Sequence, residues 1–118
     1  MKISSVKENQ NLEKRVAITP ETAKKYLASG FEVTISENYG EHLGILDKEY
    51  SELGVKLVKN DNDIIKDADV IIQLGLLTDE KKDILRKDQT IIGLLNPFEN
   101  KEKIIEFVKK GINVFSLE

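Results

Sequence analysis

Arg15, Gln73 and Asn96 fall where this chain has room for chemistry. Each stands at or just past the carboxyl end of an apolar run: Arg15 after residues 2–6, Gln73 late in 69–74, Asn96 directly behind 90–95. If those runs are parallel strands, the three side chains open on one crevice, because ligands of open α/β sheets sit beyond the carboxyl ends of the strands. A guanidinium there grips a carboxylate or phosphate with two parallel N–H donors. A glutamine and an asparagine orient an amide or hydroxyl but transfer no protons near neutral pH. The three are therefore cleft-facing candidates for contact with a cofactor, and no residue is assigned a catalytic role. The competing reading pairs Arg15 with a local acid such as Glu8 or Glu13 and leaves Gln73 and Asn96 to satisfy loop backbone.

Other chemistry is scarce. Cysteine is absent, so thiolate nucleophiles, disulfides and cysteine metal sites are excluded. The one histidine, His42, lies in a glycine-flanked loop and reads as a surface residue; no metal site is expected. The acids at 61–63 and 67–69 read as turn and cap residues. Gly75 and Gly93 fall inside strand segments, and no G-x-G-x-x-G turn exists to cradle a pyrophosphate. The segment "NPFEN" at 96–100 turns the chain from strand to helix. With 21 acidic and 18 basic residues the net charge is −3, which leaves no footprint for nucleic acid. No apolar run is long enough to span a membrane and no signal-peptide core is present, so a soluble, cytoplasmic protein is expected.

The elements that must position these residues follow from periodicity. At 118 residues there is room for one core. Strands are predicted over 2–6, 31–35, 55–58, 69–74, 90–95 and 112–115. Between them lie amphipathic stretches. Thr19 caps a helix that has Pro20 at its first position and stops at Gly30. Asp47 opens a short helix closed by Gly54, and 61–66 forms at most two turns. Thr78 caps a helix over 79–85. Asn100 caps a helix over 101–110 with Ile104, Ile105, Phe107 and Val108 as its apolar stripe. Such alternation predicts an α/β fold: a single doubly wound, mostly parallel sheet in three layers, flavodoxin-like or Rossmann-like. Ending on a strand, the chain reads as a fragment.

With the segments placed, "KE" at 7–8, "EKRVAITPE" at 13–21, the stretch 27–58, "DADVIIQL" at 67–74 and "KKGINVFSLE" at 109–118 resemble the N-terminal domain of the alanine dehydrogenase/pyridine nucleotide transhydrogenase family. Ser4-Ser5-Val6 depart from the Gly-[Ile/Val]-Pro usual before Lys-Glu. In the alanine dehydrogenase branch, the resemblance implies a lysine at the position of Gln73 and a histidine at that of Asn96. With the arginine matching Arg15, these bind pyruvate and move protons. Gln73 and Asn96 lack that acid/base capacity, and "LLNPFENKEKI" is similar to the transhydrogenase branch, although Gln73 also departs from the lysine many transhydrogenases keep.

The resemblance thus implies the first domain, residues 1–118, of the two-domain NAD(H)-binding alpha subunit of a proton-translocating enzyme. NADP(H) is then held on a partner component, and a membrane component completes the complex at the cytoplasmic face of the inner membrane. It implies a homodimer of the full protein. The second, nucleotide-binding Rossmann domain would lie outside this chain, so no cofactor is expected to bind tightly here and the isolated chain is expected to be inactive. The alternatives are an amino-acid dehydrogenase of the same family and a non-catalytic scaffold of the same fold.

Overall fold

A computed structural model describes residues 1–117. Among these, six strands form one sheet: β1 (Lys2–Ser5), β2 (Glu32–Ser36), β3 (Lys56–Val58), β4 (Val70–Gln73), β5 (Thr90–Gly93) and β6 (Asn113–Ser116). The strand order is β3-β2-β1-β4-β5-β6 and every pairing is parallel. This is the Rossmann order rather than the flavodoxin one, and it reverses direction between β1 and β4.

Five helices connect the strands: α1 (Pro20–Ala28), α2 (Asp47–Ser51), α3 (Asp61–Asp67), α4 (Asp79–Lys82) and α5 (Lys101–Lys109). α1 starts as its sequence dictates. Thr19 Oγ1 accepts the Thr22 N–H at 3.2 Å and Pro20 occupies the first turn. Gly30, at φ +90°, ends it in the left-handed region that a side chain disfavours.

On one face of the sheet, α1 and α2 pack Ala23, Tyr26, Leu27 and Tyr50 against Ile3, Val33 and Ile35. On the other face, α3 and α5 bring Ile64, Ile65, Ile104 and Phe107 onto Ile71, Ile91 and Val114.

Several local expectations are corrected by tertiary contacts. The helix expected over 79–85 is a single turn ending at Lys82. Beyond it, the buried Gln89 takes over: its Oε1 accepts the Arg86 N–H at 2.6 Å, and its Nε2 donates to the carbonyls of Ile65 and Ala68 at the end of α3. Leu85 still reaches the core, from irregular backbone. Gly75 lies in the connection after β4, not in a strand. Asp47 does open α2, as its first residue, and the Leu46 N–H ahead of it is satisfied by Glu49 Oε2 at 2.7 Å. Asn100 occupies the N-cap position of α5 but its side-chain oxygen caps no N–H; its Nδ2 donates instead to the Leu95 carbonyl at 2.9 Å. On α5, Ile105 and Val108 are exposed, so only Ile104 and Phe107 of the expected stripe face the core.

Candidate functional site at the sheet switch point

Where the strand order reverses, the connections after β1 and β4 diverge and leave a crevice at the carboxyl edge. It encloses about 220 Å³ between Lys7, Glu8 and Asn9 on one side and Gln73, Leu76, Leu77 and Thr78 on the other, with Asp61 and Lys81 closing one end. A neighbouring hollow of about 320 Å³ shares Glu8, Asn9 and Leu76–Thr78 and adds Leu12, Glu13, Asn100 and Lys103.

Gln73 forms part of the crevice wall and is only 2% exposed. Its amide joins β4 to the end of β1. Oε1 accepts from the Val6 N–H at 2.7 Å and the Ser5 hydroxyl at 3.1 Å, while Nε2 donates to the Val6 carbonyl at 3.1 Å and Glu8 Oε2 at 2.7 Å. Glu8 also accepts the Leu74 N–H at 2.9 Å and the Gly75 N–H at 3.0 Å. Burial pushes its carboxyl above the usual range, against the opposing pull of these hydrogen bonds. Sequence reasoning weighed Glu8 only as a partner for Arg15. The signal that marks it is an acid just past a strand end whose neighbours across the sheet include a glycine N–H.

A second set of bonds holds the remainder of the β1–α1 connection. The Tyr39 hydroxyl oxygen accepts the Ala17 and Ile18 N–H groups, each at 3.1 Å, and lies 2.8 Å from Ser5 Oγ. Because Ser5 donates to Gln73, Tyr39 donates to Ser5. The Tyr50 hydroxyl donates to the Ile18 carbonyl at 2.8 Å, and the two rings meet edge to face with centroids 5.9 Å apart. Burial raises both phenols. The apolar trio 16–18 is thereby pinned from beneath, which sends Arg15 outward.

Arg15 makes a two-pronged grip, but on its own loop: Nε and Nη2 each lie 2.9 Å from a Glu13 carboxylate oxygen. The guanidinium holds the Glu13 carboxyl down to about 2. Asn96 sits at φ +48°, a left-handed conformation that asparagine tolerates, and donates to Glu99 Oε2 at 2.7 Å as the first residue of the 96–100 turn. His42 is a tie between loops, its Nε2 2.6 Å from the Lys14 carbonyl and its Nδ1 3.1 Å from Gln10 Nε2. All three candidate residues thus lie toward the carboxyl edge. Gln73 walls the crevice; Arg15 and Asn96 stand outside its walls.

These residues do not fit a dinucleotide. The connection after β1 has no glycine turn, and the Leu74 and Gly75 N–H groups that would meet a phosphate are already taken by the Glu8 carboxylate. What the crevice supplies is a preorganised wall in which the Gln73 amide meets the half-buried Glu8 carboxylate, with Lys7, Asp61 and Lys81 adding charge at its rim. No group of three or more histidine or acidic residues that could hold a metal occurs among the described residues. No described helix is long and apolar enough to cross a membrane.

Residues 5–118 match the family profile described as alanine dehydrogenase/PNT, N-terminal domain. An NAD(P) transhydrogenase alpha-subunit protein of Rickettsia prowazekii (strain Madrid E) is 36% identical over 122 residues, covering 100% of this chain and 32% of the relative. Alanine dehydrogenase 1 of Staphylococcus aureus (strain Mu50 / ATCC 700699) is 29% identical over 118 residues, covering 100% of this chain and 31% of the relative. Among solved structures, a transhydrogenase from Sinorhizobium meliloti superposes with a TM-score of 0.90 at 27% identity, covering 98% of this chain and 34% of that one. An L-alanine dehydrogenase also reaches 0.90, at 22% identity, covering 98% and 32%, and so shares the fold. The chain spans about a third of the length of these relatives.

Proposed function

The chain belongs to the alanine dehydrogenase/PNT N-terminal domain family, and from that premise we propose that it serves as the first domain of the NAD(H)-binding alpha subunit of a proton-translocating NAD(P) transhydrogenase. The reaction is hydride transfer from NADH to NADP⁺ coupled to proton passage. In this reading residues 1–118 form one wall of an interdomain cleft. A second, Rossmann-type domain holds NAD(H), a partner component holds NADP(H), and a membrane component carries the proton. The assembled complex is a homodimer at the cytoplasmic face of the inner membrane.

Against the alanine dehydrogenase branch stands the state of Gln73. At the position where the alanine dehydrogenase branch is expected to hold a lysine, this chain has an uncharged amide whose oxygen and nitrogen are both engaged with β1 and Glu8. An amide so committed neither binds a keto acid as a cation nor moves a proton. The observation that carries the transhydrogenase reading is the higher identity to the Rickettsia transhydrogenase subunit, 36%, than to the Staphylococcus alanine dehydrogenase, 29%. The chain's own residues here shape and dry the cleft wall, and the hydride chemistry belongs to nucleotides held elsewhere.

The test compares two activities of the assembled protein containing this domain. NADH-driven reduction of an NADP⁺ analogue in membranes is expected, without L-alanine-driven reduction of NAD⁺; the reverse pattern rejects the proposal. The 118-residue chain titrated with NADH should show no saturable change in nicotinamide fluorescence. Tight binding by it alone would contradict the division of labour proposed here.

A further inference from the structure

Just past β4, the consecutive backbone N–H groups of Leu74 and Gly75 converge on the two oxygens of one carboxylate. Leu74 N lies 2.9 Å from Glu8 Oε2 and Gly75 N lies 3.0 Å from Glu8 Oε1, and Gln73 Nε2 adds a third donor to Oε2 at 2.7 Å. Successive N–H groups turned to one side form a concave seat for an anion. This seat has the fork of a carboxylate: its donors reach two oxygens, and the third oxygen of a phosphate would find none.

The acid that fills the seat is brought by another strand's connection. Ahead of it, Val6 is held by the Gln73 amide and the Lys7 N–H by the Ser36 hydroxyl. Behind it, residues 9–12 are exposed. The Leu12 and Glu13 N–H groups bond to the Asn9 carbonyl and the Asn11 N–H to Asn9 Oδ1, while Gln10 reaches out to His42. Glu8 borders both the crevice of about 220 Å³ and the hollow of about 320 Å³, and Gly75 lines the latter. Shortening the Glu8 side chain would therefore open the seat to free volume. The acids nearby are themselves engaged, Asp61 by Lys81 at 3.3 Å and Glu13 by Arg15 at 2.9 Å. Two donor sets that suit a carboxylate, the Arg15 fork and the seat after β4, thus each hold an acid of the same connection.

We propose that the Gln73–Leu74–Gly75 seat is a carboxylate subsite of the crevice and that Glu8 sets its specificity, occupying it from within and shutting small carboxylates out. A tethered occupant competes at an effective concentration on the order of millimolar or higher, so a free monocarboxylate below that level does not displace it. The subsite lies wholly within this chain and does not depend on the proposed redox role.

Formate is the probe, followed through the Leu74 and Gly75 amide resonances by NMR of the 118-residue chain at neutral pH, with chloride at equal ionic strength as the reference. Glu8→Ala should give saturable shifts at both amides, with an affinity for formate more than about tenfold above that of the wild-type chain. Glu8→Gln should behave as the wild type does, because its amide oxygen still accepts from the seat. Should Glu8→Ala not fold unaided, formate restores its circular dichroism spectrum where chloride does not. The proposal is overturned if those amides of Glu8→Ala ignore formate, if chloride reproduces the response, or if the wild-type chain or Glu8→Gln binds formate as well as Glu8→Ala. An unfolded Glu8→Ala that formate leaves unfolded overturns it too.

Discussion

Two polar clusters hang on the same β1–α1 connection and behave in opposite ways. Near its start, Glu8, Gln73, Ser5 and Tyr39 form a chain of hydrogen bonds, buried at Gln73, Ser5 and Tyr39 and half-buried at Glu8, in which both amide atoms of Gln73 are engaged. A few residues on, Arg15 and Glu13 make the more conspicuous contact, a bidentate ion pair, yet it lies open to solvent. A buried group that loses its partner keeps the full penalty of its desolvation, whereas an exposed ion pair that is broken is replaced by water. The neutral amide is therefore the structural keystone, and the arginine that first draws the eye is the dispensable member.

The contrast can be strained from its deep end first. A Cβ at Gly93 would stand 1.9 Å from the Gln73 carbonyl oxygen, on rigid backbone. Gly93→Ala should destabilise the fold by more than about 3 kcal/mol in urea unfolding, by prising β5 from β4. Gln73→Leu keeps the volume but strands the Val6 N–H and takes one of three hydrogen bonds from the Glu8 carboxylate. Its expected loss is about 2–3 kcal/mol in the same measurement. Tyr39→Phe removes the acceptor for two backbone N–H groups and should lose about 1–2 kcal/mol; a neutral result would mean that water replaces the phenol and that the deep cluster is less closed than its bonds indicate.

Titration sharpens the comparison further, because the two carboxylates shift in opposite directions. The native carboxyl of Glu8 is raised, so the folded state holds its proton more tightly than the unfolded chain does. Its contribution is fully present below the unfolded value near 4.5 and is lost as pH rises through the higher native value. Glu8→Gln should flatten that descent in stability measured against pH. Glu13 is lowered to about 2, so its contribution is present above 4.5 and is lost as pH falls toward 2. The smallest effect is expected from Arg15→Ala: only a small fall in the unfolding midpoint at neutral pH, since water screens this exposed pair, with the Glu13 carboxyl returning to the ordinary range in an NMR titration. A large loss of stability on that substitution would reverse the ranking of the two clusters.

Much of this architecture was legible along the chain because its causes are local. Thr19-Pro20 and Gly30 mark the ends of α1 through a cap, a missing N–H and a left-handed φ, none of which needs a distant partner. The β-branched runs at 70–73 and 90–93 read as buried parallel strands for the same reason. The site was less legible. Gln73 stood out as a polar residue at a strand end, but its partners Val6 and Ser5 lie 67 and 68 residues away in sequence. Thr78 signalled a helix correctly and its length wrongly, since Gln89 claims the backbone that would have continued it.

By itself, the sequence determined the alternation of strands and helices, the kinds of residue available for chemistry and the absence of a pyrophosphate-binding turn, because periodicity, capping and composition act over a few residues. Only the tertiary structure decided that β1 and β4 are neighbours across the switch point, that Gln73 and Glu8 face each other there, and that Arg15 turns outward to Glu13. Those outcomes depend on which strands pair and which polar groups are sealed from water, and both are settled by the packing of the whole sheet.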